Sequence, residues 1–193
     1  MRSKADIKAM KPEGYDEIYS RDRDKYKKHY SESLYYPIWK KVLSMLSSSK
    51  SMIDIGCGTG QFAKMIEENT DINYTGLDFS AEAIRRARKL CPQFAFILGD
   101  YADYKHIHRH GAVVALEFME HIENDLEFIN QLAHDQLLIF SVPNFEAPNH
   151  LRSFASIKEI YDRYHPYIKF RQELEFDMHH RENIIFLCYG FKR

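Results

Sequence analysis

The sequence is poor in cysteine and proline, shows no excess of charge of either sign, and contains no long apolar run. Its three cysteines, Cys57, Cys91 and Cys188, are scattered and odd in number. Such a set builds no disulfide framework and points to reduced thiols in a cytosol. With 27 basic and 28 acidic side chains the net charge is −1, so no global field draws the chain to nucleic acid or to an acidic membrane. No stretch approaches the ~20 apolar residues of a membrane span. The charged start, Met1 to Asp6, leads into no apolar segment of the kind a signal peptide needs. These absences together imply a soluble, cytoplasmic protein. A length of 193 residues suits one domain with a substantial core, and no internal repeat or low-complexity tract divides it.

Glycine is also scarce, yet three of the eight glycines fall within five residues, Gly56-Cys57-Gly58-Thr59-Gly60. Before them stands a short apolar strand from Met52 to Ile55, interrupted by Asp54. After them Phe62, Ala63, Met65 and Ile66 recur at helical spacing. Strand, glycine turn and helix together predict a cofactor crevice, because glycine lets the backbone turn tightly and lets a ligand approach. The nicotinamide and flavin fingerprint, G-x-G-x-x-G, requires glycine where this chain has Gln61. Asp78 ends a second strand, Tyr74 to Asp78, at the distance from Gly58 where an acid reaches ribose hydroxyls in such folds.

This arrangement resembles motif I and the following acidic position of class I S-adenosylmethionine-dependent methyltransferases. The resemblance spans roughly residues 30 to 165. It implies an α/β, Rossmann-like fold: a seven-stranded, mostly parallel sheet with helices on both faces and a C-terminal antiparallel hairpin. It also implies S-adenosyl-L-methionine as cofactor, with S-adenosyl-L-homocysteine as product. The cofactor-binding residues it implies are Asp54, Gly56, Cys57, Gly58, Gly60, Asp78, Phe79, Asp100, Tyr101 and Glu117. Asp78 would hold the ribose hydroxyls and Asp100 the adenine amino group.

Read in order, residues 1–14 form a flexible tail and residues 15–193 a single methyltransferase domain. Within it, residues 15–47 are an N-terminal helical lid and residues 51–193 the core. The lid segment carries Tyr15, Tyr19, Tyr26, Tyr30, Tyr35, Tyr36 and the sole tryptophan, Trp39. Tyr15/Tyr19 and Tyr26/Tyr30 are each spaced to share a helix face, and Pro37 suits a first helical turn. The run Arg21 to Lys28 alternates in sign, as a solvated face does. Ser80 predicts a helix cap, and Arg85, Arg86, Arg88 and Lys89 complement the same helix's dipole. A third strand, Phe94 to Leu98, delivers Gly99-Asp100-Tyr101. His106, His108 and His110 read as loop residues, since no carboxylate or cysteine nearby completes a metal site. A fourth strand, Ala112 to Leu116, ends in Glu117-Phe-Met-Glu120-His121, and a helix follows with Ile122, Leu126, Ile129 and Leu132 on one face. The apolar run Gln136 to Val142 reads as a doubly covered strand. Ser156-Ile-Lys-Glu159 is a capping box, and strands over 168–176 and 184–191 make the terminal hairpin.

Glu117-x-x-Glu120-His121, Ser141-Val-Pro-Asn144 and His150-Leu-Arg152 resemble segments of small-molecule, quinone and glycan methyltransferases. That likeness implies a small-molecule or glycan-precursor acceptor, methylated at oxygen. His121, His150 and Glu120 are then the catalytic candidates, because an imidazole titrates near neutrality and can take a hydroxyl proton; no metal is assigned. The same four residues, Glu117, Glu120, His121 and His150, also resemble the metal site of small-RNA 3′-terminal 2′-O-methyltransferases of the Hen type, which offers a Mg²⁺- or Mn²⁺-dependent alternative. A non-catalytic adenosylmethionine-binding subunit is a further alternative, although the glycine triplet and Asp78 are both intact.

Overall fold

In a computed structural model the described residues are 9–21, 26–178 and 182–193. They fall into two compact units, Lys11–Val114 and Ala115–Arg193, the latter grouped with residues 9–10.

The first unit is a parallel sheet with its connecting helices. Strands β1 (Ser51–Ile55), β2 (Asn73–Asp78), β3 (Ala95–Leu98) and β4 (Ala112–Ala115) run in the order β3-β2-β1-β4. Ile53 of β1 stands in register with Thr75 of β2 on one side and Val113 of β4 on the other. Parallel strands need crossover connections, and α3 (Gln61–Asn69) and α4 (Ala81–Leu90) supply them after β1 and β2. Strands covered on both faces read as continuous apolar runs; β4 is buried at every position and β1 at all but its first. Ser80 caps α4 as its position predicts, accepting the Ala83 amide at 3.1 Å.

Two helices precede the sheet. In α2 (Tyr36–Met45) Pro37 occupies the first turn, and Ile38, Trp39 and Val42 are buried. The other, α1 (Pro12–Arg21), buries none of its residues fully. It begins before the expected end of the flexible tail, because Pro12 is preset for a first helical turn and Glu13 suits its positive end. The rest of that tail up to residue 8, and residues 22–25 of the sign-alternating run, lie outside the described residues.

The second unit holds α5 (Asp125–Asn130), β5 (Leu137–Pro143), α6 (Ile157–Tyr164), β6 (Ile168–Asp177) and β7 (Ile184–Lys192). β7 lies between β5 and β6 and is antiparallel to both, with a bulge between Phe170 and Gln172. At α6 the capping box forms in part: Ser156 accepts the Glu159 amide, while Glu159 reaches one residue further back and accepts that of Ala155. α5 starts three residues later than its apolar spacing suggests. Residues 116–124 form turns instead, because several of their carbonyls accept bonds from outside the segment. Residues 179–181 of the expected polar loop lie outside the described residues.

Candidate active site

The glycine turn expected to form the cofactor crevice belongs to the first unit. Gly56, Gly58 and Gly60 have φ of 76°, 55° and 85°, a region other residues enter only at a cost. A Cβ at Gly60 would stand 3.0 Å from Ala87, so this glycine also lets α3 and α4 pack closely. The Gly56 and Cys57 amides both donate to Leu77 O, at 2.8 and 3.1 Å, which folds the turn back over the end of β2. Asp78 then fastens it. Its Oδ2 accepts the Gly58 amide at 2.9 Å and its Oδ1 the Ser80 amide at 2.8 Å. Burial raises the Asp78 pKa from its ordinary value, and these amides oppose the shift.

Asp54 stands differently. It is 4% exposed, and its Oδ2 accepts the Tyr74 hydroxyl at 2.6 Å. Burial pushes its pKa up to about 7, against that hydrogen bond. Its place is inside β1, below the glycine turn. Phe79 is half-buried and meets the Tyr15 ring at 5.2 Å. Asp100 is exposed and accepts the Ala102 amide at 2.9 Å, with half-buried Tyr101 beside it in the turn after β3.

Helix α1 meets this crevice through one face. The Tyr19 hydroxyl lies 3.4 Å from where a Gly58 Cβ would be. Asp16, which carried no signal in the sequence, accepts both the Ser80 hydroxyl at 2.5 Å and the Glu82 amide at 3.0 Å. Of the tyrosines in the expected lid segment, Tyr19 reaches the glycine turn and Tyr15 meets Phe79. Tyr30 instead donates to Glu68 on α3 at 2.8 Å, and Tyr35 stacks on Trp39.

The acceptor candidates belong to the second unit. Glu117 takes a left-handed backbone, φ 50°. Ser141 secures it twice: its hydroxyl accepts the Glu117 amide at 2.8 Å and donates to Oε1 at 2.9 Å. Burial pushes the Glu117 pKa up to about 7. Glu120 is fully buried and neither carboxylate oxygen has a hydrogen-bond partner. Burial, and then the charge of Glu117, raise its pKa well above the ordinary value. His121 Nδ1 lies 2.9 Å from Asn149 O and His150 Nδ1 3.0 Å from Phe145 O. Those contacts place the ring proton on Nδ1 and the lone pair on Nε2 in each imidazole. The rings meet edge-on at 5.0 Å. Burial lowers the His121 pKa to about 4 and that of His150 in the same direction. Ligand-capable atoms of Glu120, His121 and His150 all lie within 4.8 Å of one another. Three of the four residues singled out in the sequence thus converge, while Ser141 engages Glu117. His110 contacts Tyr104 at 3.1 Å, and no metal-ligand group among the described residues includes His106, His108 or His110.

Residues 52–135 match the family described as "Methyltransferase domain". Residues 52–135 thus carry a methyltransferase domain, and the chain has the fold of class I S-adenosylmethionine-dependent methyltransferases. The strands described above are those of the Rossmann-like methyltransferase fold, a seven-stranded, mostly parallel sheet with antiparallel C-terminal strands. A Burkholderia thailandensis 1,6-didemethyltoxoflavin-N1-methyltransferase, solved with its acceptor and S-adenosylhomocysteine, aligns over 94% of this chain and 86% of its own, with TM-score 0.76 and 14% identity. The N-methyltransferase NodS from Bradyrhizobium japonicum, in complex with S-adenosyl-L-homocysteine, aligns over 94% of this chain and 98% of its own (TM-score 0.70, 15% identity). Magnesium protoporphyrin IX methyltransferase from Synechocystis, with bound SAM, aligns over 96% and 99% (TM-score 0.69, 12% identity). No curated protein matches the sequence. The methyltransferase family uses S-adenosylmethionine as cofactor, and these relatives were solved with it or with its product bound. Among the described residues, no helix is long and apolar enough to cross a membrane.

Proposed function

We propose that this methyltransferase, working as one domain over residues 15–193, methylates a hydroxyl oxygen of a small molecule or glycan precursor. In this reading Asp78 holds the ribose and Gly56–Gly60 pass under the methionine part. Asp100 and Tyr101 meet the adenine, and His121 and His150 handle the acceptor. Methyl transfer from a sulfonium is an in-line displacement with a neutral leaving group, so alignment supplies most of the catalysis. The observation that carries the acceptor chemistry is the pair of imidazoles whose Nδ1 atoms face carbonyls, leaving the lone pair on Nε2. Depressed pKa values keep both rings neutral near pH 7. A weak base suffices here, because the hydroxyl becomes strongly acidic as its oxygen bonds to the methyl carbon. The small-molecule acceptors named for the structural relatives are consistent with this size class.

A second reading is favoured by Glu120. A buried carboxylate with no partner on either oxygen, beside two imidazoles with Nδ1 held by carbonyls, suits a divalent cation. A metal there would bind an acceptor oxygen and lower its pKa, and the acceptor could then include the 3′ end of a small RNA.

Labelled S-adenosylmethionine tested against sugar nucleotides, phenols, amines and a short RNA, with and without chelator, separates the readings. The base reading expects label on a hydroxyl acceptor with chelator present, and loss of turnover in His121→Ala and His150→Ala while cofactor binding persists. Loss of activity on chelation, restored by Mn²⁺ or Mg²⁺, establishes the second reading. Full activity in both histidine variants refutes both.

A further inference from the structure

The segment bearing Glu120 and His121 has neither helical nor strand hydrogen bonding, so its carbonyls must find partners elsewhere. Two consecutive residues provide most of them. The Leu151 amide donates to Glu120 O at 2.7 Å. Arg152 donates through Nη1 to Met119 O and, at 2.6 Å, to Ile122 O, and through Nη2 to Glu123 O at 3.0 Å. Its Nε lies 3.5 Å from Asp125 Oδ2. Asp125 is itself immobilised: it is 1% exposed, accepts two bonds from Arg163 at 2.7 and 2.8 Å, and accepts the Tyr164 hydroxyl at 2.6 Å. Burial pushes the Asp125 pKa up, but these donors outweigh it and hold the carboxyl below its ordinary value. His150 directly precedes this pair of residues.

We infer that Arg152 is a positioning residue for methyl transfer. It fixes the mutual placement of Glu120, His121 and His150 by fastening residues 119–123 to the chain beside His150. The inference rests on the acceptor-side reading above.

Charge alone does not account for the arrangement. Arg152 makes no bond to the Glu120 carboxylate, whose oxygens have no partner, and spends its donors on three carbonyls and on Asp125. Only a planar guanidinium offers that many donors in fixed directions; a lysine ammonium is a point charge with three. Arg152→Lys therefore keeps the charge and loses the brace.

The test compares Arg152→Lys with Arg163→Met by methyl-transfer kinetics, calorimetric cofactor binding and NMR of the imidazole nitrogens. In Arg152→Lys, turnover should fall roughly 10–100-fold, as a misplaced reacting group predicts. Cofactor affinity should hold, and the His121 and His150 signals should move. Arg163→Met also takes a partner from Asp125; it should lower the melting temperature yet leave turnover and imidazole signals as in the parent. Wild-type kinetics and signals in Arg152→Lys would overturn the inference, and so would equal damage from Arg163→Met. If Arg152→Lys fails to fold, Asp125→Asn is the second variant. Displaced imidazole signals in it support the brace; unmoved ones overturn it. Imidazole signals that move in a protein transferring no methyl to any acceptor would uphold the brace while refuting the functional reading.

Discussion

The Gly58 amide donates to the Asp78 carboxylate at 2.9 Å, and the same group accepts the Ser80 amide at 2.8 Å. One acid thus ties the glycine turn to the start of α4 before any ligand arrives. Its remaining lone pairs stay directed, so in the proposed function a ribose diol would meet a carboxylate that has already lost its freedom to rotate. Preorganisation of this kind reduces the ordering cost of binding.

Asp78→Ala should therefore weaken S-adenosylmethionine binding by about ten- to a hundredfold. That corresponds to the loss of a charge-assisted hydrogen bond worth about 1.5–3 kcal/mol. Calorimetric titration of the folded variant checks it. Unchanged affinity, or tighter binding of NAD than of S-adenosylmethionine by the parent, would remove Asp78 from the cofactor site.

Helix α1 buries no residue fully; it meets the glycine turn through Tyr19 and the segment from Phe79 into α4 through Tyr15 and Asp16. Local opening is easiest where few apolar contacts hold an element. Hydrogen exchange should show residues 15–21 gaining protection when S-adenosylhomocysteine binds, and Asp16→Ala should raise exchange in the unliganded protein. Equal protection with and without ligand would make α1 a fixed part of the fold.

Glu120 combines full burial with two unpartnered oxygens. Burying a polar group without a partner costs about 1–3 kcal/mol by protein mutational measures. Glu120→Met, of similar volume and without that cost, should raise the unfolding free energy by about the same amount while lowering turnover. Denaturant melts beside initial rates test both halves. A destabilised Glu120→Met protein would show that the acid is satisfied in solution.

Asp54 links the same kind of burial to pH. Its folded pKa, about 7, exceeds the ~3.9 of an unfolded aspartate, so the native state holds the proton more tightly. Its contribution to stability is complete below about pH 4 and is lost as pH rises towards about 7, by about 4 kcal/mol at most. Urea midpoints at about pH 5 and about pH 8 should therefore differ more in the parent than in Asp54→Asn. Parallel pH profiles in the two proteins would show that Asp54 ionises normally.

Much of this molecule is decided locally and could be read without coordinates. Alternating glycines after an apolar strand permit the positive φ seen at Gly56, Gly58 and Gly60, and that freedom is a property of the residue type. Ser80 and Ser156 cap the helices their positions predict, because a cap needs only its own first turn. Pro37 likewise sits where its fixed φ is useful. The strands followed from apolar runs; the spacing of Gly58 and Asp78 pointed to ribose hydroxyls, and the contact between the two residues themselves comes from β1 and β2 pairing in register.

Tertiary structure alone decided the parts that depend on distant partners. Asp16 is an ordinary helical acid until α1 brings it to Ser80 and Glu82. Ile122 keeps helical spacing with the residues after it, yet it lies in a turn whose carbonyls bond to Leu151 and Arg152. Glu117 and Glu120 look equivalent in the sequence, but Ser141 satisfies one and no side chain satisfies the other. The physical reason is common to all three. Backbone preference, capping and apolar periodicity are set by neighbours within a turn or two. The ionisation, bonding and exposure of a polar side chain are set by groups dozens of residues away, and only folding brings those groups into reach.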